Sequence, residues 1–263
     1  MLDAKVAIIV PTLGSRNDFL LQCLSSVRAA GRCHIVVVAP SVFDYSPLAE
    51  RGLLDQFVPD PGGGPAAAIN EAARQLPTEI TYFNWLGDDD QLTPDSIDIA
   101  VGTLELRKAD FVWGSCRYVD KDGNSIGINR SGSWAKTLMK VGPDLIPQPG
   151  ALFARKLFDD VGGLDASYRL AFDYDLFMKF TIAGKCVYIR HILADYRWHP
   201  DALSAGSRLL SVREARAVRR AYLPKWLRPM SPMWDRPVSF ATYMAGRLLS
   251  TVVKSRNVDT RTQ

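Results

Sequence analysis

Short apolar runs alternate with helix-spaced apolar residues through the first hundred positions. Residues 6–10 (Val-Ala-Ile-Ile-Val) form an unbroken apolar run, the pattern of a strand covered on both faces. Between Asp18 and Ala30, Phe19, Leu20, Cys23, Leu24 and Val27 recur at helical spacing and predict an amphipathic helix. His34–Ala39 predicts a second strand and residues 56–58 a short third. Pro65 opens a predicted helix reaching about Leu76, residues 80–86 read as the next strand, and Pro94 starts a helix ending near Lys108. Strands alternating with helices predict a mainly parallel sheet with right-handed βαβ crossovers and helices on both faces.

The rhythm changes beyond Ala109. Phe111–Val119 reads as a strand, and Asp120-Lys-Asp-Gly-Asn124 is a turn sequence, so a hairpin is expected. Residues 125–147 look rich in loop. A strand over 151–155, a short helix over 156–161, a largely apolar helix over 174–183 and two strands over 186–189 and 194–198 follow. Residues 211–222 set Arg213, Arg216, Arg219 and Arg220 among Val212, Ala215, Val218 and Ala221, a helix with a basic face. After it, Trp226, Leu227, Met230, Met233, Trp234 and Phe240 mix with Lys225, Arg228 and Arg236. The expected division is an α/β domain over 1–205 and a basic, amphipathic helical extension over 206–263.

Composition adds three points. The 263 residues suffice for a full hydrophobic core, with one large domain and an appendage as the natural arrangement. Four cysteines, Cys23, Cys33, Cys116 and Cys186, lack metal-binding spacing and read as buried free thiols. No basic leader with a long apolar stretch opens the sequence, and the most apolar later segment, 240–253, is interrupted by Arg247, so a cytoplasmic location is expected. The net charge of +4 is uneven: residues 205–263 carry 12 Lys/Arg against 3 Asp/Glu, leaving 20 against 25 elsewhere. A basic, Trp- and Leu-bearing tail on a mildly acidic body suits an anionic membrane surface, with peripheral attachment to its inner face, rather than nucleic acid. The same tail also suits packing of its apolar residues onto the domain.

In open α/β sheets ligands bind at the carboxyl ends of parallel strands. Those positions here hold Pro11-Thr12, Gly62-Gly63-Gly64, and Asp88-Asp89-Asp90. Three adjacent aspartates repel one another and suit either solvent, as a turn before Pro94, or a bound hard cation such as Mn2+ or Mg2+. The glycines before Pro65 permit backbone approach to a phosphate at a helix N-terminus, or simply make a βα turn. Asp173 and Asp175 open a helix; Asp173 reads as an N-cap or as a general base for an acceptor hydroxyl. Among three histidines, His199, in Tyr196-Arg-Trp-His199, suits a metal shell or a diphosphate, with Arg197 adding charge, or is a surface residue.

Taken in order, several segments resemble the inverting glycosyltransferases of family 2, which have the GT-A fold. They are Val-Ala-Ile-Ile-Val-Pro-Thr12, the 62–70 loop and helix, Gly87-Asp-Asp-Asp-Gln-Leu-Thr-Pro94, Gln148-Pro-Gly-Ala-Leu-Phe-Ala-Arg155, Val161-Gly-Gly-Leu-Asp165, Phe172-Asp-Tyr-Asp-Leu176 and Tyr196-Arg-Trp-His199. The likeness covers about residues 5–205. It implies a Rossmann-like, mainly parallel sheet and transfer of a sugar from a nucleotide-diphosphate donor to a glycan or lipid-linked acceptor, as in polysaccharide or glycolipid biosynthesis. It further implies that Pro11, Thr12, Gly63, Asn70, Asp88 and Asp89 contact the donor and that Asp89, Asp90 and His199 hold Mn2+ or Mg2+. By the same likeness, Arg197 and His199 face the diphosphate, Gln148, Pro149 and Asp175 line the acceptor side, and Asp173 is the base. Two positions depart from the family pattern. No acidic residue follows the second strand, Val36-Val-Val-Ala-Pro-Ser41, which leaves the donor base open. Phe172 stands where an acidic residue usually precedes the base, so support for Asp173 must come from elsewhere.

Two rivals remain. A sugar nucleotidyltransferase would need a basic Gly-rich loop after the first strand, of which Leu13-Gly-Ser-Arg16 is a faint echo. A non-catalytic nucleotide-sugar-binding module would share the fold without needing Asp173.

Overall fold

In the computed structural model, residues 5–198 and 207–259 are described. The elements in chain order are β1 (Val6–Pro11), α1 (Asn17–Ala30), β2 (His34–Ala39), α2 (Ser46–Glu50), β3 (Gln56–Pro59), α3 (Pro65–Gln75) and β4 (Tyr82–Trp85). Then come β5 (Gln91–Leu92), α4 (Ser96–Arg107), β6 (Phe111–Val119), β7 (Ser125–Asn129), α5 (Ala135–Leu138), β8 (Ala151–Ala154), α6 (Arg155–Asp160) and α7 (Phe172–Ala183). The long strand β9 (Cys186–Arg197) and the helices α8 (Arg208–Tyr222) and α9 (Pro232–Asp259) complete the described chain.

Among the described residues nine strands form one sheet in the order β3-β2-β1-β4-β8-β6-β9-β5, with β7 hairpinned onto β6. β3, β2, β1 and β4 run parallel, as do β6 and β9, while β8 and β5 are antiparallel to their neighbours. The order reverses at β1: the chain first moves outward to β2 and β3, then returns to pair β4 on the other side. The crevice between the carboxyl ends of β1 and β4 is therefore the switch point where such sheets bind ligands.

Alternation along β1 explains the two cores. Ala7 and Ile9 face α3, α6 and α7, whereas Val6, Ile8 and Val10 face α1 and α4. The first face is aromatic: Phe83, Phe111, Phe153, Phe177 and Phe180 are fully buried, and the rings of Phe111 and Phe177 stack at 5.0 Å. Each such side chain contributes about 1.5–3 kcal/mol by leaving water. Phe172, Leu176 and Phe177 of α7 lie in this core, which fixes where the start of α7 sits.

Three expectations are corrected. The two strands expected at 186–189 and 194–198 are one, β9. Arg190 and His191 are exposed and break the apolar pattern, but the β6–β9 register shifts across Trp113/Ser115 and carries the strand through. Gly114 makes this possible, because a Cβ there would meet the His191 carbonyl at 2.6 Å. The helix predicted from Pro94 begins at Ser96, since Asp95 adopts a left-handed backbone (φ 61°). The segment expected to be mostly loop contains β7 and the short α5.

The C-terminal helices pack on the α/β body. Val218 of α8 is buried in the aromatic core, with Ala215 and Tyr222 against it. Arg219, counted on a basic solvent face in the sequence, is 2% exposed and pairs with Asp235 of α9 at 2.8 Å. It also donates to the Gly142 carbonyl at 3.2 Å. Arg213 and Arg220 do face solvent. Among the described residues no helix is long and apolar enough to cross a membrane. All four cysteines are free and buried, as their spacing predicts.

Candidate active site

The site is built at the ends of β1 and β4. As β1 ends, Thr12 keeps one sheet-like bond to the Val38 carbonyl (2.9 Å) and turns its side chain across the crevice. Its hydroxyl donates to Asp88 Oδ2 at 2.6 Å while accepting the Gly14 N–H at 3.1 Å. This pair ties the loop after β1 to the loop after β4. Arg16, a half-buried residue from the same first loop, reaches Asp88 Oδ1 at 2.9 Å and Asp89 Oδ2 at 2.5 Å.

The three aspartates do not converge as one set. Asp88 is held by Thr12 and Arg16 and Asp89 by Arg16, while Asp90 is buried and accepts the Arg197 backbone N–H at 2.9 Å. Burial first, then the charge of Asp89, pushes the Asp90 carboxyl well above the ordinary range. Among the described residues no group of three His, Cys, Asp or Glu side chains forms a metal-binding set. The loop still offers the oxygen donors that a hard cation takes. Asp88 and Asp89 already share one cationic partner in Arg16. Asp89 Oδ1 and Asp90 Oδ2 flank Gly87 so closely that a Cβ there would lie 2.9 and 3.1 Å from them. Oxygen-only donors from one or two carboxylates, with phosphate oxygens supplying the rest, are what Mg2+ and Mn2+ accept.

Arg197 was expected to face the diphosphate, but its guanidinium is buried and fully engaged. Nε donates to the Asp89 carbonyl, Nη1 to the Lys121 carbonyl and Nη2 to Gln22 Oε1, and the group lies 4.6 Å over the Phe19 ring. Arg197 therefore clamps the aspartate loop, and among the described residues the cation paired with the Asp88 and Asp89 carboxylates is Arg16. His199 lies outside the described residues.

Asn70 was also expected at the donor. Its amide instead donates to the Leu164 carbonyl at 2.9 Å and accepts the Leu164 N–H at 3.0 Å, stapling α3 to the loop before α7. Gly62, Gly63 and Gly64 all have positive φ, and Gly63 is exposed just before α3. Pro11 is half-buried at the end of β1.

Gln148 sits beside the same crevice. Its side-chain amide donates to the Trp85 carbonyl at 2.7 Å and to Asn84 Oδ1 at 3.1 Å, and its backbone carbonyl accepts the Asn84 amide at 3.2 Å. Pro149 follows it and is buried. Asn84, buried in the middle of β4, gave no sequence signal because a lone polar residue inside an apolar strand resembles noise.

Asp173 is the second residue of α7, not its N-cap; Ala171 holds that place. The ring of Phe172 packs against Trp85, the last residue of β4, at 6.1 Å. Burial pushes the Asp173 carboxyl up to about 6, partly opposed by the Tyr174 N–H at 2.8 Å, with the charge of Glu214 adding to the rise. Asp144 is likewise pushed up, by burial and then by the charge of Asp173, which places these two carboxyls in one environment. Asp175, expected on the acceptor side, is buried: Lys179 pairs with it at 2.9 Å and the Tyr222 hydroxyl donates to it at 2.8 Å. It joins α7 to α8 instead.

The sequence profile of glycosyl transferase family 2 matches residues 7–162, more than half of the chain. An uncharacterized glycosyltransferase of Rickettsia typhi is 24% identical over 232 residues, covering 84% of this chain and 72% of that protein. One of Rickettsia conorii is 25% identical over 211 residues, where the match spans 74% of this chain but only 34% of the relative. Among solved structures, S. aureus TarS 1–349 in complex with UDP-GlcNAc superimposes with a TM-score of 0.63 at 14% identity, covering 85% of this chain and 72% of that one. Mannosyltransferase PcManGT from Pyrobaculum calidifontis, in complex with GDP-Man and Mn2+, gives 0.58 at 15% identity, covering 97% and 79%. With the mainly parallel sheet, its switch point and the profile match all in agreement, the chain belongs to glycosyl transferase family 2 and has the GT-A fold.

Proposed function

We propose that this glycosyltransferase moves a sugar from a nucleotide-diphosphate donor to a hydroxyl of a glycan or lipid-linked acceptor, with inversion, in polysaccharide, glycan or glycolipid biosynthesis. The observation that carries the reading is the Thr12–Asp88–Arg16–Asp89 constellation at the β1/β4 switch point, with a raised carboxyl, Asp173, on the helix whose Phe172 packs against Trp85 of β4. The donors bound to TarS and PcManGT, UDP-GlcNAc and GDP-Man, are of the same class.

The residues divide the work as follows. Pro11, Thr12, Gly63 and Asp88 border the nucleotide and sugar. Arg16 exchanges its aspartate partners for the incoming diphosphate. Asp89, with Asp90 beside it and His199 as a further candidate, would hold Mn2+ or Mg2+, which neutralises charge on a diphosphate leaving group when bound. Asp173 takes the acceptor's proton as its oxygen attacks the anomeric carbon, and a pKa of about 6 leaves it ionised and moderately basic near neutrality. One base opposite one leaving group makes a single displacement, which inverts the anomeric carbon. Gln148 and Pro149 border the acceptor.

A nucleotidyltransferase would need a basic Gly-rich loop after β1, whereas residues 12–16 hold a single glycine and a single basic residue, Arg16. A peripheral membrane location is supported by exposed Trp226 (73%), Met233 (73%) and Phe240 (66%) interleaved with exposed Lys225 and Arg236. A thermal-shift panel of nucleotide sugars with and without Mn2+ tests the donor reading. Stabilisation by at least one nucleotide sugar, enhanced by Mn2+, is expected, and indifference to every nucleotide would exclude it.

A further inference from the structure

An acidic residue far along the chain reaches the segment just before Asp173. Glu214 projects from α8 to the loop that leads into α7. Its Oε1 accepts the Arg169 N–H at 3.0 Å, and its Oε2 accepts those of Leu170 at 2.8 Å and Ala171 at 3.0 Å. Three consecutive N–H groups thus close around one carboxylate, immediately before the helix that carries Asp173. These amides belong to the turn that leads into α7, and Ala171, at the cap position, has no side-chain acceptor of its own. The neighbouring contacts point the same way: Tyr222, two turns further along α8, donates to Asp175 Oδ1, and Val218 between them is buried in the core.

The geometry points to Glu214 as the positioning residue for the base: it ties down the three residues that lead into α7 and so fixes where the Asp173 carboxylate sits. This rests on Asp173 being the base. Glu214 is not a catalytic residue, because it touches backbone only. Its role makes α8 part of the catalytic apparatus as well as part of the packing. The charged group acting on Asp173 is Glu214 from α8; Asp173 in turn pushes up Asp144, from the segment after α5, and Arg219 on α8 acts on Tyr174.

The test compares wild type, Glu214→Gln, Glu214→Ala and Asp173→Asn in the full chain. It reads donor hydrolysis with UDP-GlcNAc and GDP-mannose, donor Kd, and amide exchange at residues 169–171. Glu214→Ala should lower kcat on the order of 10–10²-fold, the scale of a base misplaced by about an ångström, with donor Kd unchanged and exchange at 169–171 accelerated. Glu214→Gln, which keeps one acceptor oxygen, should fall between. Loss of the negative charge in either variant should also move the acid limb of the rate profile to lower pH. Equal losses of donor affinity and rate, or an unmoved acid limb, would reduce Glu214 to a packing residue and overturn the assignment. Wild-type rates in Glu214→Ala would overturn it too. Wild-type hydrolysis by Asp173→Asn would instead remove Asp173 as the base, and the positioning role with it.

Discussion

Arg219→Ala removes one member of an ion pair whose two side chains are each 2% exposed. It strands Asp235 as an unpaired carboxylate between α8 and α9 and removes one of two donors to the Gly142 carbonyl, the Tyr174 hydroxyl being the other. Breaking a buried pair from one side costs about 3–5 kcal/mol, because the remaining charge keeps its desolvation penalty and loses its partner. In a chain of this size roughly 2–4 °C of Tm accompany each kcal/mol, so a drop on the order of 10 °C is expected. Urea unfolding followed by circular dichroism supplies the free energy, with Arg220→Ala, on the exposed side of the same helix, as the control within about 0.5 kcal/mol of wild type. The double variant Arg219→Met/Asp235→Leu should recover most of the loss, since an apolar pair of similar volume carries no unpaired charge. A loss below about 1 kcal/mol for Arg219→Ala would refute the reasoning and return α8 and α9 to the status of an appendage.

Asp173→Asn should leave donor Kd within a factor of two and cut kcat by on the order of 10²–10⁴, measured by steady-state kinetics. With the wild-type enzyme the rate should rise with pH through about 6 as Asp173 loses its proton. The same carboxyl is raised from 3.8 in folding, so the folded state binds the extra proton between about pH 4 and 6. Its contribution to stability therefore falls as pH rises through that window, which denaturation at a series of pH values reads. Gly87→Ala should weaken Mn2+ binding in calorimetry, because the new Cβ enters the space between Asp89 and Asp90. Gly114→Ala should cost about 1–3 kcal/mol by pushing β6 off the His191 carbonyl of β9, again by urea unfolding.

The α/β half was legible because its order is local. β2 and β6 match the predicted residues throughout, and α1 and α3 shift by one residue at an end. β9 was read as two strands because Arg190 and His191 mimic a turn, and only its neighbour Gly114 reveals the bulge that carries it on. The aspartate cluster and Asp173 stood out as candidates through residue type and position after apolar runs. What each polar side chain touches did not. Arg197, Asn70 and Asp175 have the chemistry of ligand-binding residues, yet their partners are the Asp89 and Lys121 carbonyls, the Leu164 backbone, and Lys179 with Tyr222. Arg16 was visible only as an echo of another enzyme class. Glu214 lies 43–45 residues from the amides it binds, and nothing in its neighbourhood marks it.

The most direct measurement is the product released from the donor. Wild-type protein, Mn2+ and a nucleotide sugar that stabilises it should liberate nucleoside diphosphate, with the sugar of a trapped product in inverted anomeric configuration by NMR. Asp173→Asn should bind the same donor and release diphosphate at least a hundredfold more slowly, about 2.7 kcal/mol of lost transition-state stabilisation. Release of pyrophosphate, a retained configuration, or an undiminished rate in Asp173→Asn would contradict the assignment of this site.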